Sequence, residues 1–327
     1  MDSKTVSLII PVYQVRDYLR KCLDSVAAQT YPYLEVVIVN DGSPDDCLDI
    51  IQEYTVKYPH FYCHTIENRG QGGARNYGVA HSTGAYIAFL DSDDYLDSHF
   101  VEKMVHALES TGSDMTACGN HDVNEEGRVL ETYKHTYKNG VTDVFSEPEI
   151  LFNRVCPWGK LYKRELLEGL EFATRVWYED MRLMPKIYLR AKKVAYIDDP
   201  LVYYVQRQGS TMNNQNVKRN LEVIAAFEDL ISYYREQGQY ERFRDALEYL
   251  VIDHVAVSAI GRVALGKGRE RRRVLKKLRR YLATFQDLYR NPYLKQQSRN
   301  RKIVLWCNRL RLYGVTKLLL RAKQAVK

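Results

Sequence analysis

The sequence predicts an α/β protein: a Rossmann-like mixed sheet flanked by helices in a domain over 1–215, with a basic helical region over 216–327. Three observations point there. Short β-branched runs alternate with helix-period segments through the first part of the chain, the pattern of a parallel sheet covered on both faces. Loops rich in Asp, Asn and Gly follow those runs, at the edge where such sheets bind ligands. The charge also reverses along the chain: of 48 Lys/Arg and 41 Asp/Glu, residues 261–327 hold 21 bases against only Glu270 and Asp287, a net of +19 that leaves −12 on the remainder. With 327 residues, 45% of them apolar, there is material for one large domain and a smaller appendage.

Taken in order, 6–12, 34–40, 61–66 and 86–90 read as strands. Between them Leu19, Cys22, Leu23 and Val26 recur at helical spacing, as do Leu48, Ile51 and Tyr54-Thr55. Past Thr111, residues 115–119 read as a strand, 125–128 as a turn and 129–137 as the hairpin partner. Ser146 is placed to cap a helix starting at Glu147, and 179–191 reads as another helix. Strands at 194–197 and 201–205 close this half. From Asn220 onward the period is helical, with Gly261, Gly266, Gly268 and Pro292 as interruptions and the domain boundary within 212–220.

The six cysteines are scattered, without a Cys-x-x-Cys pair or a histidine at zinc-finger spacing, so buried free thiols are expected. The N-terminus lacks the apolar core and cleavage site of a signal peptide, and no stretch has the apolar length of a membrane span. The expected location is the cytoplasm.

The loops that leave the strands carry the chemistry. Asp91-Ser92-Asp93-Asp94 crowds carboxylates that repel one another unless a cation joins them, and oxygen ligands suit Mg²⁺ or Mn²⁺ bridging to a diphosphate. The same spacing occurs in solvated acidic turns that cap helices, here one starting near His99. Asn40-Asp41-Gly42-Ser43 offers an acid to the N–H of a base ring, and is also the pattern of an Asx turn. In 68–78 the glycines let backbone approach a ligand, and Arg75 sits near a helix start where it can pair with phosphate or a uracil carbonyl. This stretch matches neither Gly-x-Gly-x-x-Gly nor the Walker pattern, which sets dinucleotide and P-loop chemistry aside. Trp177-Tyr178-Glu179-Asp180 sets two acids beside aromatics at a helix start, where a carboxylate near apolar groups shifts toward a useful base. Acids in that place also complement the helix dipole.

In this order, the stretches 6–13, 39–43, 68–78, 89–94, Trp158-Gly159-Lys160-Leu161-Tyr162 and Glu179-Asp180 resemble the family 2 nucleotide-sugar transferases of the GT-A fold, of the bacterial surface-polysaccharide type. The resemblance implies that Pro11, Val12 and Tyr13 border the nucleoside of a UDP-sugar, that Asp41 accepts the uracil N–H, and that Asn68 and Arg75 complete the pocket. Gly73 and Ser92 fall on the donor side as well. It implies that Asp91 holds ribose or a metal-bound water and that Asp93 ligates Mn²⁺ or Mg²⁺, with Asp91 as the second acid at the metal. Asp180 is then the base that takes the acceptor's hydroxyl proton, Glu179 positions the acceptor, and attack inverts the anomeric carbon. Trp158 and Lys160 resemble acceptor-side residues, a Trp face being able to stack on a sugar; a buried core Trp is the alternative. Many relatives place a histidine near a Gly-Ser pair to finish the metal shell, whereas 203–210 here reads Tyr-Tyr-Val-Gln-Arg-Gln-Gly-Ser, which sets Arg207 toward phosphate instead.

Two rival functions are a nucleotidyltransferase and a catalytically silent nucleotide-sugar binding module. The first lacks its Gly-rich loop and lysine after the first strand, and the second is at odds with the presence of both Asp93 and Asp180. The bases of 269–280, and those interleaved with Leu, Ile, Val and Trp306 in 301–327, suit an anionic membrane surface. That would fit an acceptor carried on polyprenyl diphosphate, with the enzyme peripheral at the inner face of the cell membrane. Packing on the catalytic domain or on a second copy in a homo-oligomer is the alternative, and the motifs give nucleic acid no role.

Overall fold

A computed structural model describes residues 4–134, 140–207 and 216–325. By contacts the chain divides into two units, Met1–Arg175 with Leu183–Gln208, and Val176–Arg182 with Gly209–Lys327. The sequence-derived boundary region 212–215 lies outside the described residues.

In the first unit, β1 (Val6–Val12), α1 (Arg16–Ala27), β2 (Leu34–Asn40), α2 (Cys47–Lys57), β3 (Phe61–Thr65), α3 (Gly70–Ala80) and β4 (Tyr86–Phe89) form a doubly wound half. There follow β5 (Tyr95–Leu96), α4 (Phe100–Thr111), β6 (Met115–Val123), β7 (Val129–Tyr133), β8 (Val141–Thr142), β9 (Lys160–Lys163), α5 (Glu179–Arg190, whose residues up to Arg182 cluster with the second unit) and β10 (Val194–Val205). The sheet runs β3-β2-β1-β4-β9-β6-β10-β5, with β7 on β6 and β8 on β10. Strands β3, β2, β1 and β4 are parallel, as are β6 and β10. Antiparallel β9 is wedged between β4 and β6 and joins the two parallel blocks.

All seven residues of β1 are buried, which accounts for its nearly unbroken apolar run. Pro11 is tolerated here because the ladder with β4 stops at the Ile9/Phe89 pair, so its missing N–H removes no rung. Helix α1 buries Leu19, Cys22, Leu23 and Val26 against this sheet, and α2 buries Cys47, Ile50, Ile51 and Tyr54. A fully buried aliphatic side chain contributes about 1.5–3 kcal/mol, so this layer is a large source of stability in the unit. Helix α3 lies close to β1 because Gly78 has no Cβ; one added there would meet Ile9 Cγ2 at 2.4 Å. That close approach fixes the height of Arg75 over the strand ends.

Several elements differ from the sequence-based expectation. The two strands expected at 194–197 and 201–205 are one strand, β10, with irregular register around Pro200. Ser146 caps no helix: its Oγ donates to Asp143 Oδ2 at 2.8 Å, and a 3₁₀ turn follows over Pro148–Phe152. The expected hairpin partner ends at Tyr133, and 135–137 lie outside the described residues. The short β5, β8 and β9 were not anticipated.

The second unit holds α6 (Glu222–Glu236), α7 (Tyr240–Val251), α8 (Ile260–Leu265), α9 (Gly268–Leu282), α10 (Arg299–Arg309) and α11 (Tyr313–Ala325). A π-helical segment, Ile252–Ala259, joins α7 to α8 without a break. Gly261 therefore interrupts nothing; it lies inside α8, where an added Cβ would press on Leu320 Cδ1 at 3.3 Å. All six cysteines are free, four of them buried. Among the described residues no helix is long and apolar enough to cross a membrane.

Candidate active site

The loops after β1, β2 and β4 meet at the carboxyl edge of the sheet. Tyr13 is 43% exposed just beyond buried Pro11 and Val12, and the N–H of Gln14 donates to Ser43 Oγ at 2.7 Å, tying the first loop to the second. The Asx turn is formed, Ser43 N donating to Asn40 Oδ1 at 3.0 Å. It leaves the Asp41 carboxylate to accept from the backbone N–H of Arg69 at 2.7 Å. Burial holds Asp41 above the usual carboxylate range, against the pull of the Arg69 and Gly70 amides. The sequence placed Asp41 on a nucleobase; in this structure it also anchors the loop that leads into α3.

The glycines of that loop serve packing. A Cβ on Gly72 would sit 2.4 Å from Ala173 O, and one on Gly73 2.5 Å from Arg69 Cβ. The room they leave is filled by segment 172–175, whose Arg175 donates to Asn68 O through Nη2 at 2.6 Å and Nε at 3.1 Å. Asn76 fixes the same segment by accepting from Phe172 N at 2.8 Å and donating to Phe172 O at 2.9 Å. This strap was not legible in the sequence, since nothing local connects 68–76 to 172–175.

Arg75, 2% exposed, donates through Nη2 to Asp91 Oδ1 at 2.7 Å, and Gln71 Nε2 reaches the same oxygen at 2.8 Å. Arg207 Nε donates to Asp93 Oδ2 at 2.6 Å while its guanidinium lies 5.3 Å from the Tyr18 ring centre. Asp94 Oδ1 accepts from Val205 N at 2.8 Å, and its buried Oδ2 has no hydrogen-bond partner among the described residues. Burial and the neighbouring carboxylates hold Asp94 well above its usual range, and burial with Asp91 raises Asp93 against the opposing pull of Arg207. Ser92 is buried within the turn. The acidic loop does not cap the next helix: α4 has His99 at its N-cap and no side-chain cap, and Asp97 forms an Asx turn just before it, accepting from His99 N at 2.9 Å.

The donors at this loop are all oxygens, and three carboxylates stand against two guanidinium partners, Arg75 on Asp91 and Arg207 on Asp93, a set that fits a hard divalent cation. Among the described residues no group of three His, Cys, Asp or Glu could hold one unaided. Asp93 and Asp91 would therefore hold the ion together with substrate phosphate oxygens and water, the usual habit of Mg²⁺. The Gly209-Ser210 pair lies outside the described residues.

Trp158 is 6% exposed and stacks on Tyr204 with ring centres 5.5 Å apart. Lys160 is buried, its Nζ donating to Cys156 O at 2.7 Å and Arg154 O at 3.2 Å. Both lie in the packed interior of the first unit.

Glu179 and Asp180 begin α5 and cluster with the second unit. Asp180 Oδ1 accepts from Met181 N at 2.7 Å. The residue before them, Tyr178, is held at φ +66, a left-handed conformation costly for a bulky side chain. Its hydroxyl accepts from Arg262 Nη2 and lies 3.4 Å from Asn220 Oδ1, to which Arg262 Nε donates at 3.0 Å. Trp177 N donates to Glu222 Oε2 at 2.5 Å, and Arg219 both pairs with Glu222 at 2.9 Å and lies 4.9 Å from the Trp177 ring centre. The acid pair thus stands on a turn clamped by Asn220, Glu222 and Arg262.

A doubly wound half, a mixed half joined through an antiparallel strand, and an acidic loop at the sheet's carboxyl edge define a GT-A glycosyltransferase. Residues 7–170 match the model of Glycosyl transferase family 2, and the chain belongs to that family. It is 33% identical over 243 residues to Glycosyltransferase GlyA of Streptococcus pneumoniae serotype 4, a match over 71% of this chain but only 35% of GlyA. Among solved structures it is similar to S. aureus TarS 1-349 in complex with UDP-GlcNAc, with a TM-score of 0.59 and 20% identity over 89% of this chain and 92% of that one. It is also similar to mannosyltransferase PcManGT of Pyrobaculum calidifontis in complex with GDP-Man and Mn²⁺, with a TM-score of 0.56 and 18% identity over 96% and 87% of the two chains.

Proposed function

We propose that this glycosyltransferase moves a sugar from a UDP-sugar to a hydroxyl of a saccharide acceptor with inversion, in the assembly of a bacterial polysaccharide. The observation that carries the reading is the Asp91–Asp94 cluster with Arg75 and Arg207 at the carboxyl edge of a parallel sheet, the place and chemistry that a nucleoside diphosphate requires. Pro11, Val12, Tyr13, Asp41, Asn68 and Gly73 form the nucleoside side, with Arg75, Asp91, Ser92 and Asp93 toward ribose and diphosphate. A Mn²⁺ or Mg²⁺ ion held by Asp93 and Asp91 supplies Lewis-acid charge to the departing diphosphate when bound. Arg75 and Arg207 are guanidinium groups already in the loop where that negative charge gathers. Asp180 takes the acceptor's hydroxyl proton, as its motif and place at the start of α5 support, and Glu179 positions the acceptor. Trp158 and Lys160, the acceptor-side residues of the resemblance, are buried against Tyr204 and the carbonyls of Arg154 and Cys156, which favours the core reading of Trp158. The basic helices place the enzyme at an anionic membrane surface on the cytoplasmic side, where an acceptor on polyprenyl diphosphate is presented.

Calorimetric titration of UDP, GDP and a panel of UDP-sugars, each with Mn²⁺ and with EDTA, tests this. Tight binding of UDP that EDTA weakens, and that Asp93→Ala reduces about tenfold or more, is expected. Equal affinity with EDTA, or preference for GDP, would refute the donor assignment.

A further inference from the structure

Helix α10 buries Val304, Leu305, Cys307 and Asn308 and leaves a second stripe uncovered. Ile303, Trp306 and Leu310, spaced as one helical face, are 39%, 44% and 63% exposed, and Leu312, Val315 and Leu318, next along the chain, are exposed as well. Bases flank the stripe throughout: Arg299, Lys302, Arg309 and Arg311. Beside it lies a cavity of ≈180 Å³ lined by Arg279, Arg309, Arg311, Tyr289 and Asn308 among others. Arg309 joins cavity and stripe, lying 4.1 Å from the Tyr289 ring centre and 4.8 Å from that of Trp306. Among the described residues none of the three arginines is paired with a carboxylate.

We infer that this cavity binds the phosphate headgroup of an anionic membrane lipid, with Trp306, Leu310 and their neighbours entering the acyl boundary. Three guanidinium groups without acid partners around one small cavity make a site for a phosphate oxyanion, which each can meet through paired N–H donors. The contiguous apolar stripe selects a lipid over a free anion, because Trp at the headgroup level with aliphatic side chains below it is the arrangement of an interfacial helix. A symmetric contact with a second copy is disfavoured, since both sides would present residues 261–327 with a net +19. The inference rests on the membrane reading above and sharpens it from general charge attraction to a defined site.

Co-sedimentation of the full chain with phosphatidylcholine vesicles, with and without phosphatidylglycerol, provides the test. Wild type should bind only the anionic vesicles. The double variant Arg309→Gln/Arg311→Gln and the single variant Trp306→Ala should each lose about tenfold in partitioning with unchanged thermal melting, while Arg272→Gln/Arg273→Gln, an equal charge loss on exposed α9 positions, should lose much less. If the Arg309/Arg311 pair costs no more than the Arg272/Arg273 pair, the site is overturned while the membrane reading stands. If wild type binds neither vesicle, both are overturned. Inorganic phosphate that binds as tightly as the vesicles would overturn the lipid assignment in favour of a free anion.

Discussion

Asp93 and Arg207 meet across 114 positions of sequence, and the guanidinium offsets part of the burial that pushes the Asp93 carboxyl up. Asp91 is matched with Arg75 in the same way, so the loop holds guanidinium groups ready beside the carboxylates. On the proposed function, these are the cationic groups that an arriving diphosphate would meet. Proton removal is assigned separately to Asp180, so Asp180→Asn should leave UDP affinity unchanged and lower turnover by about 10²–10⁴-fold, read by calorimetry and by initial rates on the same preparation. Near-normal turnover would end its assignment as base. At this scale the sequence displayed the acids but not their partners. Asp91, Asp93 and Asp41 sit in short local motifs, whereas Arg207, the strap at 172–175 and the carbonyls that hold Lys160 are brought up by tertiary structure alone.

The turn at 175–178 combines two non-glycine residues of positive φ, Arg175 at +57 and Tyr178 at +66, with a clamp on the second of them. A conformation of this kind persists only when its surroundings impose it, and Arg262, Asn220 and Glu222 do so for the turn that carries Asp180. With Asp180 as the proposed base, Arg262 would be a positioning residue. Arg262→Gln should lower kcat with little change in UDP affinity, and Arg262→Lys should restore only part of it because an ammonium cannot hold Tyr178 and Asn220 in one plane. If kcat survives Arg262→Gln, the clamp serves stability alone. Of the elements themselves, the parallel strands were readable because burial on both faces writes long apolar runs. Strand β9 was not, being four residues that begin and end in lysine, with Lys160 buried against carbonyls rather than in solvent. Gly261 misled for the opposite reason: a helix breaker by propensity, it lies inside α8, where a Cβ would come within 3.3 Å of Leu320 Cδ1.

For the molecule as a whole, stability in acid is set in part by His254 in the π-helical segment. Burial lowers its pKa from 6.5 to about 4, with Arg301 and Arg262 adding to the effect and Asp253 opposing it. Between those values the unfolded chain takes up a proton that the folded one refuses, so stability is complete above 6.5 and drains away as pH falls toward 4. The full shift corresponds to about 3 kcal/mol. Thermal melting should therefore fall between pH 7 and pH 5, and His254→Gln should flatten that slope; an unchanged slope would remove His254 as its source. The reversal of charge between the two regions was plain from composition, but the uncovered stripe on α10 was not, because only packing tells which of two apolar faces is buried.

Strand β9 has a consequence for how the protein is made. Its partner β4, Tyr86–Phe89, is fully buried and apolar, yet its outer hydrogen-bonding edge is filled only by residues 160–163. On the ribosome, the doubly wound half leaves the exit tunnel complete except for that edge, and some seventy further residues must be translated before it closes. During that interval the nascent chain presents an open, hydrophobic ladder to any passing strand, the hazard that chaperones guard against. Substitutions in 160–163 should accordingly show themselves first as lost soluble yield, before any loss in the specific activity of the molecules that fold.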